Sequence, residues 1–261
     1  MELTKANKRL VASLATTKGR REHHMFAAEG SKCVLETVNV FETVWLIATR
    51  TWLEAHRSSL PGDIVDVTEA KRADIIEMSS LSTPPDVIAV YRIPETAVSR
   101  PTAGRLALAL DRVQDPGNLG TIIRIASWMG IEEIYCSTDT VDLYNPKVVQ
   151  ATMGAIARVK VCYCDLPQLL SDARKDGVTV YGTFLNGEDI YTATLSDGGV
   201  IVMGNEGSGI SDKVASTVSK RLFIPPFPPG ADCIESLNVS VATAITTAEF
   251  RRRLAHNTPS I

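Results

Sequence analysis

No apolar run in the 261 residues approaches the ~20 that a membrane span requires. The opening Met-Glu-Leu-Thr-Lys-Ala-Asn-Lys carries no signal-peptide core. Cysteine is sparse. There are five, with no Cys-x-x-Cys pair, which argues against a disulfide scaffold and predicts reduced thiols in a cytoplasmic protein. The four histidines show no ligand spacing, so no metal site is expected. Cys162 and Cys164 share one face of a strand and read as core. No glycine-rich loop ends in Gly-Lys-Ser/Thr, so a nucleoside triphosphate is not the first ligand to consider. Repeats and low-complexity tracts are absent. A large excess of positive charge is absent too. The formal net charge is −3, against a protein that coats nucleic acid indiscriminately.

With 44% hydrophobic and 22% charged residues, the chain suits one or two soluble globular domains. The basic residues are uneven. Lys5, Lys8, Arg9, Lys18, Arg20 and Arg21 crowd one end, and Arg251, Arg252 and Arg253 lie near the other. A solvated face is the default reading of each cluster. Two of them in a mildly acidic chain leave a local RNA-binding surface open.

Apolar positions at helical spacing predict a helix over Leu3 to Ala15. A polar turn follows at Lys18 to His24, then a strand at Met25 to Ala28 and a helix from Ser31 to Val38. Strands at Thr43 to Ala48, Ile64 to Val67 and Val87 to Ile93 alternate with helices at Trp52 to Ser58 and Thr68 to Met78. This makes a small α/β domain over 1–95. Residues 96–104, with Pro101 and Gly104, read as a linker.

The remainder, 105–261, alternates strongly. Strands are predicted at Leu106 to Leu110, Glu133 to Ser137, Val159 to Cys164, Val178 to Phe184, Val200 to Met203 and Leu222 to Ile224. Helices are predicted at Thr121 to Met129, Pro146 to Ala157, Leu166 to Lys175, Asp212 to Ser219 and Ser236 to Leu254. Continuous apolar strands between helices predict a parallel sheet covered on both faces. The last helix carries a small-residue face of Ser240, Ala244, Thr247 and Ala248.

Three loops stand out. Asp111 to Gly120 follows the first of these strands and leads to Arg124, a residue type that reads phosphate or carboxylate bidentately. Val200 to Met203 runs into the glycine-rich turn Gly-Asn-Glu-Gly-Ser-Gly, which holds one carboxylate, Glu206. Such a turn lets backbone amides approach a ligand, and strand ends are where open α/β sheets bind ligands. Ile234 to Ser240 holds Ser236, the expected cap of the last helix, and Asn238, a possible donor to a ligand. Each loop has an ordinary structural explanation when taken alone.

Together the three resemble the motifs of the SpoU/TrmH family of RNA ribose 2′-O-methyltransferases, within the SPOUT class. Its Asn-x-Gly-x-x-x-Arg pattern is matched by Asn118, Gly120 and Arg124. Gly-x-Glu-Gly-x-Gly is matched by Gly204, Glu206, Gly207 and Gly209. Ser-Leu-Asn-Val-Ser-x-Ala is matched by Ser236 through Ala242. The resemblance spans Leu106 to about Phe250. The first domain looks like the small RNA-binding domain that often precedes this one, with its basic start and Phe26-Ala27-Ala28-Glu29-Gly30.

The resemblance implies a deep C-terminal trefoil knot, S-adenosyl-L-methionine as cofactor, and a homodimer whose active site draws on both subunits. Gly204, Ile224 and Leu237, with Thr183, are implied as cofactor-binding. Arg124, Asn118, Glu206, Ser236 and Asn238 are implied as catalytic, with Glu206 orienting Arg124. Lys5, Lys8, Arg9, Lys18, Arg20 and Arg21 would face RNA. Because a guanidinium stays protonated, Arg124 reads better as a clamp on phosphate and a stabiliser of developing alkoxide than as a base. A phosphate oxygen or Glu206 would take the proton. Pro225 to Asp232 makes a longer loop than the family pattern leads one to expect. Ribosomal RNA is favoured over transfer RNA. The rival readings are a base methyltransferase of the same class and a non-catalytic RNA binder with the same fold.

Overall fold

The computed structural model describes residues 3–62, 64, 66–228 and 236–257. The chain forms two units, Met1–Thr96 with Asp142–Arg158, and Ala97–Val141 with Val159–Ile261.

In the first unit the elements run α1 (Lys5–Ser13), α2 (Thr17–His23), β1 (Met25–Glu29), α3 (Ser31–Thr37), β2 (Thr43–Ala48), α4 (Arg50–His56), β3 (Val67–Glu69), α5 (Arg72–Met78) and β4 (Val87–Arg92). Its sheet has the order β1-β4-β2-β3, antiparallel except for the parallel β2–β3 pair. One face packs Trp45, Ile47, Ile88 and Val90 against Val11, Leu14, Ile75 and Met78 of α1 and α5 and the residues beside them. Lys18 to His24, expected as a turn, is largely helix α2. The Thr16 hydroxyl caps it by accepting from Gly19 N at 3.0 Å. Gly19 fits because a β-carbon there would lie 2.2 Å from Ser13 O.

Residues 142–158 hold helix α7 (Pro146–Thr152) and a single 3₁₀ turn (Ala155–Ala157). The sequence reading counts them with 105–261, whereas their contacts are with the first unit. Tyr144 stacks on Phe26 at 4.5 Å between ring centroids, and Cys33 Sγ faces Val149 O at 3.8 Å. Periodicity identifies a helix with one apolar side. It does not say which sheet that side meets.

The same unit corrects part of the basic cluster. Arg20 is 2% exposed and spends all its N–H groups on Asp142, Leu14 O, Ala15 O and Thr17. Lys8 is tied to Asp74 and Glu77. Both are internal ties. Lys5, Arg9, Lys18 and Arg21 are exposed.

In the second unit the elements are β5 (Leu106–Leu110), α6 (Pro116–Trp128), β6 (Glu133–Ser137), β7 (Lys160–Cys164), α8 (Leu166–Lys175), β8 (Val180–Asp189), β9 (Gly199–Met203), α9 (Asp212–Ala215), β10 (Lys220–Phe223) and α10 (Val239–Asn257). The sheet has the order β10-β8-β9-β5-β6-β7, and every pairing is parallel. Every residue of β5 and β9 is buried, as expected of parallel strands covered on both faces. From β5 the chain moves outward through β6 and β7, then returns to build β8, β9 and β10 on the other side. The strand order therefore reverses between β5 and β9, the position where open α/β sheets leave a crevice at their carboxyl ends.

Helix α10 packs on α6. Of the expected small-residue face, Ser240 and Thr247 are buried, Ala244 is half-buried and Ala248 is exposed. The arginines at its end are structural, not a free basic patch. Arg251 donates to Met129 O and Gly130 O, at 2.7 and 2.9 Å, and so satisfies carbonyls at the end of α6. Arg252 and Arg253 both donate to Glu249, which is 5% exposed. The Arg252 hydrogen bonds, followed by those of Arg253, hold the Glu249 carboxyl down at about 2, from an ordinary 4.5.

A carboxyl held this far down stabilises the fold above its unfolded value and loses that contribution as pH falls through the folded one. We expect the stability of the wild-type chain to drop between about pH 4.5 and pH 2. Glu249→Gln should cost on the order of 2 kcal/mol near neutrality and flatten that acid limb. Denaturant titration across the pH range reads both.

Candidate active site

The loops that follow β5 and β9 leave adjacent parallel strands, so their first residues are neighbours by construction. Asp111 ends β5. Its carboxylate is buried and accepts from Ser211 N at 2.6 Å, holding the far end of the second loop. Helix α6 begins at Pro116, five residues before the predicted start, because Asp115 is its cap. Asp115 Oδ1 accepts from Asn118 N at 2.8 Å, and proline fills the first helical position, where no N–H is needed. Asn118 is therefore no cap. Its side chain is free for other work.

That work joins the three loops. Asn118 Nδ2 donates to Glu206 Oε1 at 2.8 Å. Asn118 Oδ1 accepts from Asn238 Nδ2 at 2.9 Å. Asn238, and not Ser236, caps α10. Its Oδ1 accepts from Ser240 N at 2.9 Å and Val241 N at 3.3 Å, and its backbone carbonyl accepts from Ala242 N at 2.9 Å. Ser236 is exposed and makes no hydrogen bond among the described residues. Leu237 is exposed beside it.

The Glu206 loop closes on itself. Asn205 and Gly209 exchange backbone hydrogen bonds at 3.0 and 2.9 Å. The Asn205 side chain accepts from Gly207 N and Ser208 N, both at 3.0 Å. Its Nδ2 donates to Arg112 O at 2.8 Å and to Glu206 Oε2 at 3.4 Å. Both oxygens of Glu206 are thus held by amides. Asn205 and Arg112 are not among the residues that the sequence singles out. An Asn two residues before a glycine, the signature of an Asx turn, was the signal for the first.

Arg124 is exposed on α6, and its guanidinium makes no hydrogen bond or ion pair among the described residues. Glu206 does not orient it, contrary to expectation, because the carboxylate is already committed to Asn118 and Asn205.

The residues expected to hold a cofactor lie at neighbouring strand ends. Gly204 follows β9 and Ile224 follows β10. Thr183 lies inside β8, just past the stretch that pairs with β9, and its hydroxyl donates to Val202 O at 3.4 Å. The proline-rich loop is described as far as Pro228. Residues 229–235 of it and of the approach to α10 lie outside the described residues.

A family model described as the SpoU rRNA methylase family matches residues 105–248. The chain belongs to that family. It is 29% identical to the 23S rRNA (guanosine(2553)-2′-O)-methyltransferase RlmP of Bacillus subtilis, over 91% of this chain and 93% of that one. Among solved structures, an RNA methyltransferase assigned to the TrmH family from Porphyromonas gingivalis is 39% identical. It superposes with a TM-score of 0.87, over 97% of this chain and all of that one. An rRNA methyltransferase from Sinorhizobium meliloti with bound AdoMet is 29% identical with a TM-score of 0.85, covering 97% of each chain. The SpoU match contains all three loops and ends within α10.

The tight loop of this SpoU domain makes a direct test of Gly204. A β-carbon there would sit 2.3 Å from Gly209 C and 2.4 Å from Ile210 N, both backbone atoms that cannot rotate away. Gly204→Ala should therefore force the loop open, lower stability by about 2–4 kcal/mol, and loosen Glu206 from Asn118. Thermal unfolding reads the first effect, and hydrogen exchange at Gly207 and Ser208 reads the second.

Proposed function

We propose that this SpoU-family protein transfers a methyl group from S-adenosyl-L-methionine to a ribose 2′-hydroxyl of RNA, with ribosomal RNA as the substrate class. The observation that carries the reading is the Glu206–Asn118–Asn238 chain at the strand-order reversal, with an unpaired arginine, Arg124, on the same helix as Asn118. A protein that only bound RNA would have no need for a fixed carboxylate and a free guanidinium on adjoining loops.

The cofactor fits the residues present. Thr183, Gly204, Ile224 and Leu237 offer a hydroxyl, peptide groups and aliphatic side chains, with no charge, at neighbouring strand ends and just before α10. That donor set suits an uncharged nucleoside portion. When bound, the cofactor supplies the electrophilic sulfonium methyl. The protein's own part is positioning. Holding the hydroxyl at attack distance is worth roughly 7–11 kcal/mol. Arg124 clamps a phosphate next to the reacting ribose and stabilises the oxyanion as it forms. Asn118 fixes one side of the ribose pocket, Glu206 anchors Asn118, and Asn238 ties both to α10. The proton passes to a phosphate oxygen or to a free lone pair of Glu206. Ser236, exposed ahead of α10, completes the third side when substrate is present.

The exposed Lys5, Arg9, Lys18 and Arg21 of the first unit supply the phosphate contacts that hold RNA, and recognition rests on shape, unpaired bases and the 2′-hydroxyl. The working unit is a homodimer. Trp128, on α6 one turn beyond Arg124, is 87% exposed in a single chain, an apolar ring that a second copy would cover. The trefoil knot expected from the resemblance belongs to this reading, with α10 as its last element. No helix among the described residues is long and apolar enough to cross a membrane. Acting on RNA, the protein would work in the cytoplasm with its thiols reduced.

Purified protein with labelled cofactor should place a 2′-O-methyl nucleoside in an unmodified 23S rRNA transcript, resolved by mass spectrometry after digestion. Label in transfer RNA alone would move the substrate class. Label on a base would move the chemistry. Arg124→Ala should cut turnover by at least about 100-fold and leave cofactor affinity, measured by calorimetry, at the wild-type value.

A further inference from the structure

We propose that Arg112 is a second anion-reading residue of the active site, its guanidinium taking a phosphate of the bound RNA. The inference rests on the reading of the site as an RNA-modifying centre.

Arg112 follows Asp111 just past the end of β5 with φ +58°, in the left-handed region that glycine adopts at lower cost than any residue with a side chain. Its backbone groups are satisfied without the side chain. Arg112 N donates to Ser137 Oγ at 2.9 Å, and Arg112 O accepts from Asn205 Nδ2 at 2.8 Å. Glycine would serve this backbone turn at lower cost, so the backbone alone gives no reason for arginine.

The guanidinium is poorly used within the protein. Of its five N–H groups, one reaches Ser208 Oγ at 3.3 Å. Nε is buried with no hydrogen-bond partner. It forms an ion pair with Asp111 Oδ1 at 3.6 Å, too long for a hydrogen bond, while Asp111 Oδ2 is held by Ser211 N. A third of the side chain, 34%, stays exposed. Strain in the backbone together with an unmet buried donor is characteristic of binding sites, where the surroundings hold the residue ready. A fork of open N–H groups beside Ser208 matches a phosphate.

Two anions are conceivable partners, the RNA phosphate and the carboxylate of the cofactor. Placement favours the phosphate. Arg112 stands on the β5 loop against Ser208, whereas Thr183 and Ile224 of the cofactor-side residues lie within β8 and after β10. An internal ribose carries a phosphate on either side. The loop–helix unit that starts at β5 supplies two guanidinium groups, Arg112 and Arg124.

Arg112→Gly preserves the positive φ and both backbone hydrogen bonds and removes only the guanidinium. Binding of the 23S rRNA transcript to the full chain is titrated over a range of salt concentrations, with Arg112→Lys alongside. We expect Arg112→Gly to weaken RNA binding about tenfold and to flatten the slope of log Kd against log salt by about 0.7–1, the signature of one lost phosphate contact. Arg112→Lys restores the slope and part of the affinity, since an ammonium keeps the charge and lacks the fork. Cofactor affinity is unchanged, and the loss of RNA binding exceeds what any change in melting temperature from the lost Asp111 ion pair accounts for. An unaltered salt slope overturns the inference. So does a loss of cofactor affinity in place of RNA affinity, or a fall in melting temperature that accounts for the weaker binding. Methyl transfer by the wild-type chain is measured in the same samples. Transfer with an unaltered Arg112→Gly slope sinks the role of Arg112 alone. A flattened slope without wild-type transfer to any RNA supports Arg112 as an RNA contact and sinks the catalytic reading.

Discussion

An amide side chain donates from one end and accepts at the other, and in Asn118 both ends are spoken for. The direction of the whole hydrogen-bond chain follows from its terminus. The first N–H groups of α10 can only donate, so Asn238 must turn its oxygen to them. That leaves the Asn238 nitrogen to face Asn118, whose oxygen accepts it. The Asn118 nitrogen is then the one end left for Glu206, a carboxylate that only accepts. Nothing in this relay can flip without creating two facing donors or two facing acceptors. The N-terminus of α10 is electropositive, and the relay ends on a negative group. Helix, amides and carboxylate are aligned in one polarity, and the loops after β5 and β9 are locked to the start of α10 as a result.

The sheet makes this relay possible. Parallel pairing of β5 with β9 puts the carboxyl ends of the two strands side by side, and reversal of the strand order sends their following segments apart. The crevice between them must be bridged by side chains, since the backbone ladder of this pair ends at the Asp111 N to Met203 O hydrogen bond. Asn118, Asn205 and the buried Asp111 are those bridges. The Glu206 loop can be brought so close only because Gly204 has no side chain. Fold and site are thus the same problem, solved by short polar residues at strand ends.

This explains what was legible from sequence. Strand and helix identities follow from apolar periodicity, and the three loops stand out because together they match the Asn-x-Gly-x-x-x-Arg, Gly-x-Glu-Gly-x-Gly and Ser-Leu-Asn-Val-Ser-x-Ala patterns. Less legible were choices between equivalent chemistries. Asp115 and Asn118 are both good caps, and so are Ser236 and Asn238. Which of each pair caps its helix depends on what else the other must touch, and that is a tertiary fact. The resemblance implies that Glu206 orients Arg124, yet it is the amides of Asn118 and Asn205 that reach the carboxylate. The placement of 142–158 with the first unit was hidden for a similar reason. Val148, Val149 and Thr152 announce a buried face, and only the partner surface, Phe26 and Cys33 among it, says where that face goes.

Arginine shows the limit most sharply. Clustering along the chain suggested that Arg20 and Arg251 to Arg253 were surface charge, but hydrogen-bond saturation sorts them differently. Arg20 gives every N–H to a protein acceptor, at 2% exposure. Arg253 spends its three nitrogens on Glu249, Ala193 O and Ile190 O. Arg20 has no donor left to offer a ligand, and Arg253 has three of its five committed within the fold. Arg112 and Arg124 stand alone in their stretch of sequence, unmarked by neighbours of like charge, and keep most or all of their donors open. A buried guanidinium nitrogen is costly to leave without a hydrogen bond, and Arg112 Nε is one. An arginine that stays unsaturated where the chain could have carried glycine, or a neutral residue on a helix surface, is therefore better evidence of an anionic ligand than any local excess of positive charge.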